Sequence, residues 1–187
     1  MLKKFFVICL LAFPLASTVK AASVRPLLLD EIIDTSAVAF QGTCTGNRTE
    51  RDPLTNFVVT YTTFEVKDVL KGNVGATHTI KQIGGKMPAD EASFRVVGVP
   101  TFTIGEEYVV FLAGVSSAGF SSPIGLAQGK FTVKQNSAGK TVSNGRDFRE
   151  MSAGIPVVMP PTSEGQAHQL GLEEFKQLAR VRAGNIQ

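Results

Sequence analysis

The sequence predicts a mainly β domain, a small closed barrel or a sandwich, with a short helix near each end. Short segments rich in β-branched and aromatic residues follow one another through most of the chain. Glycine, asparagine or proline separates these segments at short intervals, as in all-β folds built from many hairpins. We therefore expect antiparallel strands in one domain that spans residues 22–187, rather than βαβ units.

The predicted elements begin with a short helix, because Leu28, Leu29, Ile32 and Ile33 recur at helical spacing. Eight strands are then expected, at Val38–Thr45, Phe57–Leu70, Thr77–Ile83, Phe94–Val97, Glu107–Ala113, Phe120–Ala127, Lys130–Gln135 and Lys140–Val142. The polar stretch Gly46–Asn56 is predicted to be a hairpin loop. A segment rich in proline and glycine, 154–171, precedes a last helix at 172–183, whose charge distribution suits the helix dipole.

The first 21 residues have the layout of a removable secretory signal. Lys3 and Lys4 precede an apolar run from Phe5 to Ala16, which is shorter than the ~20 residues that span a bilayer. Val19 and Ala21 are small residues three and one positions before an expected cleavage point. This pattern predicts a periplasmic or secreted protein without membrane insertion once the signal is removed; an uncleaved anchor is the alternative.

The charge of the remaining chain argues against nucleic acid and anionic lipid as partners. Of the 19 lysines and arginines, three (Lys3, Lys4 and Lys20) leave with the signal, and the rest balance the 16 acidic side chains. The remaining charges alternate in sign along the chain, so no basic block is available to follow a phosphate backbone or a membrane surface.

Cys44 is the one cysteine left after the predicted cleavage, so the domain is expected to have no internal disulfide. It follows Phe40 and Gly42 at every second position of a predicted strand. This spacing favours a small buried residue. A nucleophile or an intermolecular disulfide is the alternative.

No catalytic residue, metal site or cofactor site is predicted. His78 and His168 lack neighbouring cysteines or paired carboxylates, and the serines lack a nucleophile-elbow motif. Gly84 and Gly85 lack the Walker spacing and are expected where the backbone turns or approaches another strand closely. A hydrolase with a site assembled from distant residues stays an alternative.

Four stretches together resemble a family. They are Thr63–Gly72 (TFEVKDVLKG), Gly84–Gly85, Gly98–Phe102 running into Gly105–Leu112 (GVPTF and GEEYVVFL), and Gly125–Phe131 (GLAQGKF). In this order they are similar to a family of exported bacterial β-barrel domains that stand alone or precede matrixin-type metalloprotease modules. The resemblance implies a barrel, distantly like the OB-like fold of netrin-type inhibitor domains, and implies no catalytic residues. The chain lacks the His-Glu-x-x-His motif, and its predicted mature start lacks the inhibitors' cysteine.

The sequence therefore favours an exported binding or accessory module that acts on another exported protein, such as a protease. A hydrolase and a structural envelope component are the alternatives. Binding is expected on loops at one end of the scaffold. The candidate residues are Arg48 and Arg51 in the predicted loop Thr45–Asn56, and Met87 in the predicted loop Lys86–Ser93.

Overall fold

The structure is a computed structural model that describes residues 24–87, 93–153 and 168–184. The predicted signal peptide, residues 1–21, and most of the predicted proline- and glycine-rich segment, residues 154–167, lie outside the described residues. Within the described ranges, no helix has the length and apolar character needed to cross a membrane.

Seven antiparallel strands form one sheet with the order β3-β2-β1-β4-β5-β6-β7. The described strands include no ladder that joins β3 to β5 or to β7, so this sheet is open. The mainly β prediction is confirmed. The elements are α1 (Leu29–Thr35), β1 (Val38–Arg51), β2 (Val58–Lys71), β3 (Thr77–Ile83), β4 (Glu107–Leu112), a 3-10 helix (Leu126–Gly129), β5 (Lys130–Asn136), β6 (Gly139–Ser143), α2 (Phe148–Met151), β7 (Leu170–Gly171) and α3 (Leu172–Gly184).

The first hairpin is longer than predicted. Most of the expected loop Gly46–Asn56 belongs to β1, which pairs with β2 as far as Arg51 opposite Val58. The tight turn is held by two backbone hydrogen bonds, from Asp52 N to Phe57 O and from Asn56 N to Asp52 O, both 2.8 Å long. The sequence pattern predicted a loop here because residues 46–51 are polar or glycine. Their backbone is nevertheless paired with β2. Three register shifts in the ladder bend the hairpin.

Two predicted strands do not form. The segment Phe94–Val97 makes only an isolated bridge, between Phe94 and Gly85. The segment Phe120–Ala127 makes one bridge, between Pro123 and Leu112, before it enters the 3-10 helix. Proline cannot donate a ladder hydrogen bond, and β4 already pairs with β1 and β5 on its two edges.

The core consists of two apolar clusters on opposite faces of β4. Val109 and Phe111 point into a cluster with both terminal helices, whereas Tyr108, Val110 and Leu112 point into a second one. All five side chains are buried, which explains why β4 is a continuous apolar run. The second cluster also contains Cys44, so the prediction of a buried cysteine is confirmed. Burial raises the pKa of its thiol.

A buried ion pair fastens the first hairpin to β3. The Nζ atom of Lys81 lies 2.6 Å from Oδ1 of Asp52, and the two side chains are 10% and 3% exposed. Lys81 also donates to the carbonyl oxygen of Ala118 at 2.8 Å, and its ammonium lies 4.7 Å from the ring centre of Phe120. The pair therefore joins three segments that are distant in sequence.

Asp52 is expected to make the stability of the domain sensitive to acid. The hydrogen bond from Lys81, followed by that from Thr55, holds the pKa of Asp52 at about 2, whereas an unfolded chain has an Asp pKa of about 3.9. Because the folded value is the lower one, the stabilising contribution is complete above the unfolded value and is lost as the pH falls to about 2. Urea unfolding at several pH values, compared for the wild type and Asp52→Asn, measures this contribution. A difference in stability between the two proteins that stays constant across this range would contradict the assignment.

Candidate functional site

A groove of about 330 Å³ lies between one face of β1, β2 and β3 and the segment 93–102. Its size is at the lower end of the range for ligand pockets. The side chains of Asn47, Thr49, Thr60, Thr62 and Gln82 contribute from the three strands. In this groove, polar side chains from three strands converge on one concave surface.

Strand register brings these five polar residues together. Asn47 lies opposite Thr62, and Thr49 lies opposite Thr60, in the β1–β2 ladder. Thr60 in turn lies opposite Gln82 in the β2–β3 ladder. Residues that face one another across antiparallel strands point to the same side of the sheet, so the five side chains share one face.

The strand hydroxyl groups of Thr49, Thr60 and Thr62 each donate their proton to a hydrogen bond within the groove. Thr60 donates to the carbonyl oxygen of Gly84 at 2.7 Å, so Thr49 must be the donor in its 3.0 Å contact with Thr60. Thr62 donates to Oδ1 of Asn47 at 2.7 Å, and Nδ2 of Asn47 donates to the carbonyl oxygen of Phe102 at 2.8 Å. These hydroxyl oxygens therefore have lone pairs to offer a ligand but no proton.

Gln82 has an unpaired amide. Its side chain is buried, with the whole residue 3% exposed, and Nε2 has no hydrogen-bond partner among the described residues. A buried donor without a partner costs about 1–3 kcal/mol. A buried donor of this kind needs an acceptor, which a bound group can supply.

Two cations and an aromatic side chain stand at the rim. Lys86 and Arg95 line the groove and are exposed, and neither forms an ion pair with a described carboxylate. The side chain of Phe94 is exposed by 44%. No aspartate, glutamate, histidine or cysteine is among the described residues that line the groove. The lining therefore offers hydrogen bonds, positive charge and an apolar surface, to which Ile83, Val96, Val99, Pro100 and Phe102 contribute besides Phe94.

Gly84 and Gly85 shape the end of the groove, which agrees with the prediction of a close backbone approach. Both have positive φ values, 91° and 150°, that other residues adopt with strain. A Cβ atom on Gly84 would lie 2.8 Å from the carbonyl oxygen of Phe94. One on Gly85 would overlap Oγ1 of Thr60. Glycine at both positions lets segment 93–102 approach the strands.

The structure does not bring the predicted binding residues together in this groove. Arg48 lies opposite Tyr61 on the other face of the hairpin, with its guanidinium 4.7 Å from the ring centre and an ion pair to Glu50. Arg51 donates to the carbonyl oxygen of Asn56 at 3.0 Å, in the turn. Met87 is half-buried, one residue beyond Lys86, and residues 88–92 of its predicted loop lie outside the described residues.

In the described part of the chain, neither histidine belongs to a group of side chains that could hold a metal ion. His78 is half-buried against Phe40, with 5.3 Å between ring centres, and burial lowers its pKa. His168 is exposed, before α3. The described residues contain no group of three or more histidine, cysteine, aspartate or glutamate side chains placed to hold a metal ion.

Sequence reasoning missed the five strand residues of the groove. The signal in the sequence was a spacing of two residues, between Asn47 and Thr49 and between Thr60 and Thr62. This spacing places hydroxyl and amide groups on one face of a strand. The predicted loop boundary at Gly46 concealed the first of these pairs.

The fold and the groove define an antiparallel β domain with a cation-rimmed cleft, in which polar side chains of three strands lie beside apolar ones. No protein-family model matches the chain, and no curated protein or solved structure is significantly similar to it. The resemblance to exported barrel domains therefore stays a prediction drawn from the motifs.

Proposed function

We propose that this protein is an exported binding module and that the groove between β1–β3 and segment 93–102 is its binding surface. The observation that carries the proposal is the unpaired amide of Gln82, 3% exposed, in the wall of the groove. Stable folds pair their buried donors. A ligand acceptor at this position would supply the missing partner.

The chemistry of the lining favours binding over hydrolysis at this site. A hydrolase needs a nucleophile with a base in reach, or a pair of carboxyl groups. The described lining residues include no carboxylate, histidine or cysteine, and the hydroxyl protons of Thr49, Thr60 and Thr62 are already donated within the protein. The site recognises a ligand through fixed groups.

We also propose that the open sheet is part of an OB-like barrel that is incompletely closed. The β1–β2 register shifts support curvature. The segment after β4 supports closure, because Ser121 N donates to Lys81 O on the outer edge of β3 at 3.1 Å. One residue further on, Ser122 O accepts from Ala113 N, next to β4, at 3.0 Å. This segment links the edge strand β3 to the end of β4.

The experiment is a capture of exported proteins by the tagged full chain, expressed and processed in its native host. Phe94→Ala removes an exposed apolar contact of the groove. We expect it to reduce the amount of captured partner about tenfold, because an aromatic anchor that becomes buried on binding contributes more than about 1 kcal/mol. Val181→Ala, an exposed apolar position on α3, is the matched control and should capture as much as the wild type.

Arg48→Ala separates the groove from the predicted hairpin surface. Arg48 faces away from the groove, so this variant should also capture normally. Loss of the partner in Arg48→Ala with full capture by Phe94→Ala would reject the groove and restore the predicted loop as the binding surface.

A further inference from the structure

We infer that the ligand of the groove is an acidic segment of a polypeptide, held with a carboxylate toward Lys86, Arg95 and Gln82. This inference rests on the proposed function and specifies the chemistry of its partner. It follows from the hydrogen-bonding capacity that remains in the groove, from the charge of the rim and from the size of the cleft.

The remaining donors are concentrated in three side chains. Nε2 of Gln82 has both protons free, and Lys86 and Arg95 have no described carboxylate within ion-pair distance. The buried amide of Gln82 needs an acceptor, and the two exposed cations favour one that carries negative charge. A carboxylate is the acceptor that satisfies cations and amides together through charge-assisted hydrogen bonds. The torsion at the end of a glutamine side chain has a broad distribution, so the amide can turn toward such a group.

The remaining acceptors suit a backbone. Thr49 and Thr62 have donated their protons inside the protein, so their oxygen lone pairs face a ligand that must bring N–H groups. An acidic peptide supplies N–H groups and carboxylates in one molecule. The exposed ring of Phe94 adds a contact for an aliphatic side chain.

The described part of the lining carries no negative charge that would oppose such a ligand. None of the described lining residues is an aspartate or a glutamate. A volume of about 330 Å³ accommodates only a few residues, so the groove selects a short stretch around one carboxylate.

The test is an NMR titration of the ¹⁵N-labelled full chain with two peptides, Ac-Ala-Glu-Ala-amide and its glutamine counterpart. The glutamate peptide is expected to bind about tenfold more tightly, since hydrogen bonds to a charged group are stronger than those to a neutral amide. It should also shift the side-chain amide signals of Gln82. In the double variant Lys86→Met with Arg95→Gln, the two peptides should bind equally.

Lys134→Gln is the matched control, since it removes one exposed positive charge from β5, outside the groove. It should keep the full preference for glutamate. Equal binding of the two peptides, binding of neither, unchanged Gln82 signals, an equal loss in Lys134→Gln, or tighter binding of glucuronate than of the glutamate peptide would each overturn the inference. If Phe94→Ala still reduces partner capture in that case, the proposed function stands and only the ligand class is wrong.

Discussion

Phe175→Ala is expected to lower the free energy of unfolding by about 4 kcal/mol, a typical cost for truncating a buried phenylalanine. Phe175 is fully buried and anchors α3 to the sheet. Its ring centre lies 4.7 Å from that of Phe131, 6.0 Å from that of Phe111 and 5.9 Å from that of Phe148. Alanine would remove all three ring contacts and leave a cavity. Urea unfolding followed by circular dichroism measures the loss.

The same helix supplies the control for this experiment. Val181 is 59% exposed, so Val181→Ala should change stability by less than about 0.5 kcal/mol. Three salt bridges also hold α3: Lys176 Nζ to Asp68 Oδ2 at 2.9 Å, Arg180 to Asp68, and Arg182 to Asp34. A loss for Phe175→Ala as small as that of the control would mean that these charges, and not the aromatic cluster, fix the helix.

Gly129→Ala is expected to destabilise the domain by about 3 kcal/mol, because the new methyl group would overlap the backbone. A Cβ atom at position 129 would lie 2.8 Å from Ile124 N and 2.9 Å from the carbonyl oxygens of Ile124 and Phe111. Two of these atoms form a backbone hydrogen bond, Ile124 N to Phe111 O, which connects the end of β4 to the 3-10 helix. Backbone atoms cannot move aside as a flexible side chain does, so the strain must shift the start of β5.

Gly46→Ala is the matched control, since a Cβ atom there meets nothing within 4 Å. Thermal unfolding of both variants should show a large decrease in melting temperature for Gly129→Ala and almost none for Gly46→Ala. Equal melting temperatures would show that the loop before β5 adapts to the methyl group, and that its close packing is not required for stability.

Local sequence patterns were sufficient to predict β3, β4 and α3. The predicted strand at Thr77–Ile83 matches β3, and the predicted helix at 172–183 matches α3 to within one residue. The apolar run of β4 was also recognised, because burial on both faces needs apolar residues at every position. In these elements most apolar residues are buried, although Lys81 and Gln82 in β3 and Lys176 in α3 are buried polar residues that no local pattern predicts.

The amino-acid order thus fixed the mainly β class, the helix near each end, the central strands and the buried state of Cys44, since all of these follow from composition and short-range periodicity. Only the tertiary structure decided that β1 extends through Arg51, that 94–97 and 120–127 stay largely outside the sheet, and that the groove exists. The physical reason is that a segment is stabilised as a strand by backbone hydrogen bonds to a partner strand, and that partner can be distant in sequence. Thr49, Thr60 and Gln82 form one surface because three strands align in a particular register, and no local pattern encodes that register.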